Sequence, residues 1–226
     1  MTALDLLLGA LAPDRCLHCR APADAGALLC SGCRGALPWL ADGGCARCGL
    51  PIPCAPGRCP ARGTALSASW SPLAYEGPAR SLALAGKARA PERVAAFLGA
   101  AMAQRLPPRL RAGSPVLVPV PADPVRGRRR GADHALLLAR RLGRARELPW
   151  RAVLARPPAP ARHRLAAGRR RGIELAPPRA LRRAPPVVLL VDDVHTTGAT
   201  LSACAVALQA AGAQEVRAVT AMRTLR

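Results

Sequence analysis

Two adjacent carboxylates, Asp192 and Asp193, are the residues in this sequence best placed to bind a ligand. They stand in the stretch VVLLVDDVHTTGAT, residues 187–200, directly after an apolar run typical of a buried strand. The chain holds only 13 Asp and Glu against 34 Lys and Arg, so a neighbouring pair of acids at a strand end is notable. Carboxylates accept hydrogen bonds from sugar hydroxyls, and either one could help to hold a hydrated Mg²⁺.

The loop that follows the acids is built from small and hydroxyl residues: Thr196, Thr197, Gly198, Ala199 and Thr200. Such a loop lets backbone N–H groups approach a ligand, and the start of the next helix favours a phosphate. It is not a Walker loop, because the sequence contains no Gly-x4-Gly-Lys-Ser/Thr. A helix cap is the structural alternative, but two adjacent acids favour a site for a sugar that carries a phosphate.

Eight of the nine cysteines lie in the first 62 residues, mostly as Cys-x2-Cys pairs. Two such pairs about ten residues apart are typical of a zinc ribbon, in which two tight turns present four thiolates to one metal ion. The sequence predicts one zinc site from the first four cysteines and a second from the next four, although pairing across the two sets stays open. The predicted ligands are Cys16, Cys19, Cys30 and Cys33, then Cys45, Cys48, Cys54 and Cys59.

The ribbon could contact nucleic acid or protein, or zinc could simply fold a segment too small for its own core. A redox role is disfavoured, because a thioredoxin-like Cys-x2-Cys is a single pair and these pairs come in series. Cys204 lies on the apolar face of a predicted helix and is expected to be core, while His18 is expected not to bind metal.

The elements that position these residues are predicted from apolar periodicity. Strand VVLLV, loop DDVHTTGAT, helix LSACAVALQAAG and strand EVRAVTAM indicate an α/β fold with a mostly parallel sheet. Further helices are predicted in GPARSLALAGKARA, PERVAAFLGAAMAQRL and HALLLARRLG, and further strands in ALSASWSPLAYEG and PVLVPVPAD. We predict a small zinc-ribbon domain over 1–62 and an α/β domain over 63–226.

The charge is strongly positive, at +21, and residues 126–183 carry 18 arginines. This balance favours a polyanionic partner such as single-stranded DNA, or reflects a composition that replaces surface lysine with arginine. Residues 162–171 could instead form a loop that closes over pyrophosphate. Five aromatic residues are few for a surface that stacks bases. No apolar run is long enough to span a membrane and no secretory signal is evident, so a cytoplasmic protein is expected.

The acidic pair and its TTGAT loop resemble the phosphoribosyl pyrophosphate (PRPP) motif of type I phosphoribosyltransferases. The resemblance implies a phosphoribosyltransferase-like sheet flanked by helices, with Asp192 and Asp193 on the ribose hydroxyls and residues 196–200 around the 5-phosphate. Asp192 and Asp193 would also be the catalytic candidates. Transfer would displace pyrophosphate from C1 of the ribose, with Mg²⁺ and basic groups stabilising the leaving group.

Over nearly its full length the chain resembles the ComF-like family of competence-related proteins. The shared features are the paired cysteines, Tyr75-x-Gly77, Lys87, the VPVP turn at 118–121 and Arg130-Gly131. The resemblance implies that Lys87 and VPVP lie near pyrophosphate, that Arg130 gives basic support, and that the protein is linked to DNA uptake.

Two stretches depart from the family pattern. After Arg130-Gly131 the family continues Phe-Asn-Gln-Ala, whereas this chain has ADHA at 132–135. A later family stretch with Gln and Asn appears here as Arg162, Leu165, Arg170 and Ile173, which removes expected contacts to a second substrate. His195 occupies a variable position of the motif and has no predicted catalytic role. The alternative function is a non-catalytic zinc-ribbon protein that binds single-stranded DNA or a competence partner, with PRPP as a regulatory ligand.

Overall fold

The structure is a computed structural model that describes residues 14–41, 43–51, 54–55, 57–122, 133–156 and 178–225. Within these ranges the main element is a sheet of five strands, every one paired in parallel. The strands are β1 (Ala68–Trp70), β2 (Leu73–Ala74), β3 (Val116–Pro119), β6 (Val187–His195) and β7 (Glu215–Arg223). Their order is β1-β7-β6-β3, and β2 continues the β1 edge because both pair with β7. Two further short strands, β4 (Leu154–Ala155) and β5 (Arg179–Ala180), form a separate antiparallel pair.

The four longer helices of the described residues agree with the predicted segments, whereas the two short ones were not predicted. In chain order they are α1 (Ser31–Gly35), α2 (Gly77–Gly86), α3 (Pro91–Arg105), α4 (Pro108–Arg111), α5 (His134–Arg146) and α6 (Ala199–Ala210). Helix α5 begins where the Asp133 carboxylate accepts a hydrogen bond of 3.1 Å from Leu136 N, a side-chain cap of its first turn. The helical spacing of Val94, Phe97, Leu98 and Met102 predicts one buried face of α3. Val94, Leu98 and Met102 are buried there, whereas Phe97 is only partly buried.

Strand β6 is buried on both faces, which explains its unbroken apolar sequence. Leu189 and Val191 pack into the hydrophobic cluster shared with α2, α3 and α5, whereas Val188 and Leu190 pack into the cluster shared with α6. Side chains alternate between the two faces of a strand, so a strand covered on both sides is apolar at every position. The predicted mostly parallel sheet flanked by helices is confirmed.

One predicted boundary was wrong. The loop was expected to begin at Asp192, but β6 continues through both acids and ends at His195. The neighbouring strand β7 is equally long, and it pairs Asp192 with Thr220 and His195 with Arg223. This pairing holds the polar residues in extended conformation beyond the end of the apolar run.

The cysteine-rich segment packs directly onto the α/β part of the chain. Cys16, Leu29 and Leu37 are buried in the same cluster as residues of α2 and α3. Backbone hydrogen bonds also join the two parts, from Leu40 N to Pro72 O at 2.8 Å and from Ala74 N to Pro38 O at 2.9 Å. The division into domains at residue 62 stays a prediction.

Candidate functional site

The two aspartates lie at the carboxyl end of β6, an inner strand of the sheet. Ligands of open parallel sheets bind at this edge, where the strands end and the following loops begin. Asp193 N donates a hydrogen bond of 2.9 Å to Asp192 Oδ1, so the first carboxylate folds back over the backbone of the second residue. Both side chains are half-buried.

Lys87 reaches this edge from the end of α2. Its backbone N–H bonds to Ala83 O as the helix ends, and its Nζ forms an ion pair with Asp193 Oδ2. The sequence implied a place for Lys87 near pyrophosphate through its family resemblance only. The structure brings its ammonium group against one of the two acids.

The electrostatics of the acidic pair favour a ligand that supplies positive charge or hydrogen-bond donors. Burial raises the pKa of Asp192 to about 8, and the negative charge of Asp193 acts in the same direction. The hydrogen bond from Asp193 N and the charge of Lys87 lower this pKa, but they only partly compensate. Sugar hydroxyls or a hydrated divalent cation would stabilise the ionised pair, and carboxylate oxygens are suitable ligands for Mg²⁺.

The loop between β6 and α6 consists of Thr196, Thr197 and Gly198. Gly198 has a φ of +80°, and α6 begins at the next residue. Thr197 Oγ1 accepts a hydrogen bond of 3.3 Å from Ala199 N, and Gly198 O accepts one of 2.8 Å from Ser202 N. Both threonines are exposed. The loop therefore presents hydroxyls and the start of a helix beside the two carboxylates. We call residues 196–200, which the family resemblance predicts to hold a 5-phosphate, the phosphate loop.

His195 lies directly beneath the phosphate loop. A Cβ on Gly198 would stand 2.7 Å from His195 Nε2, closer than side-chain contacts allow. His195 is only 5% exposed, and burial lowers the pKa of its imidazole to about 4, with the charge of Arg223 acting in the same direction. A neutral buried histidine at this place supports the loop. The sequence indicated no such role, since the motif alone does not show what packs under it.

Each predicted set of four cysteines comes together, so pairing across the sets is excluded. Cys16, Cys19, Cys30 and Cys33 form the first cluster, and Cys45, Cys48, Cys54 and Cys59 form the second, with the sulfurs of each cluster within 4.8 Å of one another. Three of the Sγ–Sγ distances are 3.7 Å for Cys19–Cys30, 3.8 Å for Cys45–Cys59 and 3.5 Å for Cys48–Cys54. Tetrahedral zinc with Zn–S bonds of about 2.3 Å requires about 3.8 Å. The geometry therefore fits one structural zinc ion in each cluster.

The first pair of each cluster makes the same turn. Arg20 N donates to Cys16 O at 3.1 Å, and Gly49 N donates to Cys45 O at 2.8 Å. The residue after each pair has a positive φ, 66° at Arg20 and 70° at Gly49. This repeated turn points both thiolates of a pair toward one metal ion. His18 Nδ1 forms a hydrogen bond of 3.0 Å with Ser81 Oγ, and His18 is not one of the four residues whose ligand atoms cluster there.

The remaining predicted residues are Cys204, Arg130 and those of the arginine-rich zone. Cys204 is fully buried in the second hydrophobic cluster, as its place on an apolar helix face predicts. Arg130 and residues 162–171 lie outside the described residues, as does about half of the arginine-rich zone. No helix in the described ranges is long and apolar enough to cross a membrane.

Comparisons with known proteins agree with the cysteine clusters. Residues 7–65 match the family model of the double zinc ribbon domain. No curated protein matches the chain. Among solved structures, one described as the structure of the allosteric regulatory enzyme of purine biosynthesis is similar, with 20% identity and a TM-score of 0.39. The match covers 55% of this chain and 25% of that one. The family match and the two cysteine clusters therefore confirm a zinc-ribbon segment that precedes the sheet in the chain.

Proposed function

We propose that this protein binds PRPP at the carboxyl end of β6 and transfers its phosphoribosyl group to an acceptor. The observation that carries the proposal is the direct junction of the acidic pair and the phosphate loop at one edge of a parallel sheet. The likeness of this motif to that of type I phosphoribosyltransferases supports the same ligand.

The contacts suit the two ends of a ribose 5-phosphate group. Ribose hydroxyls would donate hydrogen bonds to Asp192 and Asp193, which offsets the repulsion that raises the pKa of Asp192. The 5-phosphate would accept hydrogen bonds from the hydroxyls of Thr196 and Thr197 and from N–H groups at the start of α6. One ribose 5-phosphate group would thus contact both the acidic pair and the phosphate loop.

The transfer needs little covalent chemistry from the protein. The acceptor attacks C1 of the ribose, the C1–O bond breaks, and its electron pair leaves with pyrophosphate. Lys87 provides a positive charge beside Asp193 on the edge where the pyrophosphate would lie. Mg²⁺, when bound with the ligand, supplies further charge neutralisation for the departing group. The chain's own task is to orient the sugar and hold the phosphate in place.

Calorimetric titration with PRPP and Mg²⁺ tests the binding. We expect the wild type to bind, and Asp192→Asn/Asp193→Asn to lose most of its affinity. A matched control is Asp24→Asn/Glu147→Gln, which removes two exposed acids far along the chain from the motif and should bind as the wild type does. Absent binding by the wild type, or equal binding by the motif variant, would show that the proposal is wrong.

Pyrophosphate release during a screen of acceptors tests the transfer. Release that depends on an acceptor and on the two acids supports a transferase. Binding without release by any acceptor supports the regulatory alternative, in which PRPP controls contact with single-stranded DNA or a competence partner. The ComF-like resemblance and its link to DNA uptake belong to this regulatory alternative. A salt-dependent affinity for single-stranded DNA would support them.

A further inference from the structure

Arg223, at the end of β7, is a buried cation whose charge is not balanced by a carboxylate in the described residues. Its side chain is only 4% exposed, and its Nε and Nη1 have no hydrogen-bond partner there. Arg217, on the same strand, differs. Its guanidinium is bonded to both oxygens of the Glu215 carboxylate at 2.8 and 2.6 Å and to Ala112 O at 2.7 Å. Burying an arginine without a partner is costly, so a negative group is expected beside Arg223.

The second cysteine cluster is the candidate source of that negative charge. Cys48 and Arg223 line the same small cavity, whose volume is about 20 Å³. Burial lowers the pKa of the Arg223 guanidinium, while the charges of Cys48, Cys54, Cys59 and Cys45, in that order, raise it. Four thiolates around one Zn²⁺ keep a formal net charge of about −2. Pro60 and Leu66 form apolar walls of the cavity, so solvent screens this attraction weakly.

The opposite side of the same cavity belongs to the phosphate loop. His195, Thr197 and Gly198 line it together with Arg223. Arg223 is also the pairing partner of His195 in the β6–β7 ladder. The cavity has room for one water molecule that could accept a hydrogen bond from the guanidinium. Arg223 is therefore in position to connect the cysteine cluster to the residue that supports Gly198.

We propose that Arg223 is the charge partner of the zinc–thiolate group at the second cysteine cluster, and that through it this zinc site holds the phosphate loop in shape. Arg223 is a positioning residue, since it acts on the loop through His195. The second zinc site thereby supports the ligand loop as well as folding its own segment. This holds for whatever anion the loop binds, and its test needs no PRPP.

Zinc release to a chromogenic chelator tests the charge partnership. We expect Arg223→Met to release one of its two zinc ions about tenfold faster than the wild type, and the other at the wild-type rate. Arg62 is a matched control, because it is an exposed arginine in the second ribbon whose Nη1 bonds to Gly57 O at 3.3 Å. Arg62→Met should release both ions as the wild type does. Wild-type release of both ions by a folded Arg223→Met would overturn the proposal.

Amide hydrogen exchange tests the connection to the loop. Ser202 N bonds to Gly198 O at 2.8 Å and Thr224 N bonds to His195 O at 3.0 Å, so these amides report on the loop and its support. We expect both to exchange about tenfold faster in Arg223→Met and at the wild-type rate in Arg62→Met. Unchanged exchange of these amides in Arg223→Met would overturn the proposed connection between Arg223 and the phosphate loop.

Two further variants keep the test decisive if Arg223→Met does not fold. Arg223→Lys keeps the charge but loses the planar guanidinium, whereas Arg223→Gln keeps hydrogen-bonding capacity but loses the charge. We expect zinc release from the second site to be faster in Arg223→Gln than in Arg223→Lys. Equal, wild-type release in both would contradict the proposal, while failure of PRPP binding alone would leave it standing.

Discussion

Lys87, the single lysine of the chain, forms an ion pair with Asp193. The ammonium group comes from the end of α2 and the carboxylate from the end of β6, so the pair fixes a helix end against the carboxyl edge of the sheet. It also neutralises one of two adjacent acids. The ion pair therefore links α2 to the candidate site.

A double-mutant cycle on Lys87 and Asp193 measures this pair. We expect Lys87→Met to lower the free energy of unfolding by about 1–2 kcal/mol, because it leaves a half-buried carboxylate unpaired beside Asp192. Together with Asp193→Asn, the coupling energy should be about 1 kcal/mol in urea unfolding. Arg89→Met removes the same charge from an exposed residue two positions later, and it should change the free energy of unfolding little. A coupling energy near zero would show that the ion pair does not stabilise the fold.

Asp192 is expected to give stability a pH dependence of a definite sign. Its pKa is raised to about 8 by burial and by Asp193, so at intermediate pH the native protein keeps a proton that the unfolded chain has released. The contribution of Asp192 to the free energy of unfolding must then fall as pH rises from about 4 toward 8. Relative to the wild type, Asp192→Asn should gain about 1–3 kcal/mol over that range, since one pKa unit is worth about 1.4 kcal/mol and partial exposure weakens the effect. Urea unfolding at several pH values, with zinc present, checks this, and a constant difference would contradict it.

Gly198→Ala and Gly63→Ala form a matched pair, because both glycines have a φ of +80°. A Cβ at Gly63 meets no atom within 4 Å, whereas one at Gly198 meets His195 Nε2 at 2.7 Å. We expect Gly63→Ala to cost about 1 kcal/mol of stability from its backbone conformation alone, and Gly198→Ala about 1–2 kcal/mol more. Thermal unfolding measures the difference. Equal losses would mean that His195 does not restrict the loop, and His195→Ala should recover part of the loss.

Zinc stoichiometry distinguishes cluster cysteines from the core cysteine. Cys30→Ser removes one of four thiolates in the first cluster, so bound zinc should fall from two ions per chain to about one, with a large loss of stability. Cys204→Ser places a hydroxyl in an apolar site and should lower stability by about 1–2 kcal/mol with two zinc ions retained. Mass spectrometry of the purified variants measures the number of zinc ions bound per chain. Two ions bound to Cys30→Ser would refute the assignment.

The local elements follow from the sequence because their signals are local. The apolar run before Asp192 predicts a strand of a parallel sheet, and the spacing of Val94, Leu98 and Met102 predicts one face of a helix. The Cys-x2-Cys turns are likewise short-range, and each cluster is closed by residues close in the chain. The strand end at His195 was missed, since it depends on pairing with β7 rather than on the residues of β6.

Residue patterns in short stretches thus predict the α/β class, the two sets of four cysteines, and the place of the acids and the phosphate loop along the chain. The folded chain was needed to show that each set of cysteines closes on itself and which distant residues complete the site. His195 beneath Gly198 is a short-range contact that depends on the backbone conformation of the loop. Lys87 against Asp193, and Arg223 beside the second cysteine cluster, are contacts between segments far apart in the chain. They arise from strand pairing and helix packing, and such contacts leave no pattern in the spacing of residues.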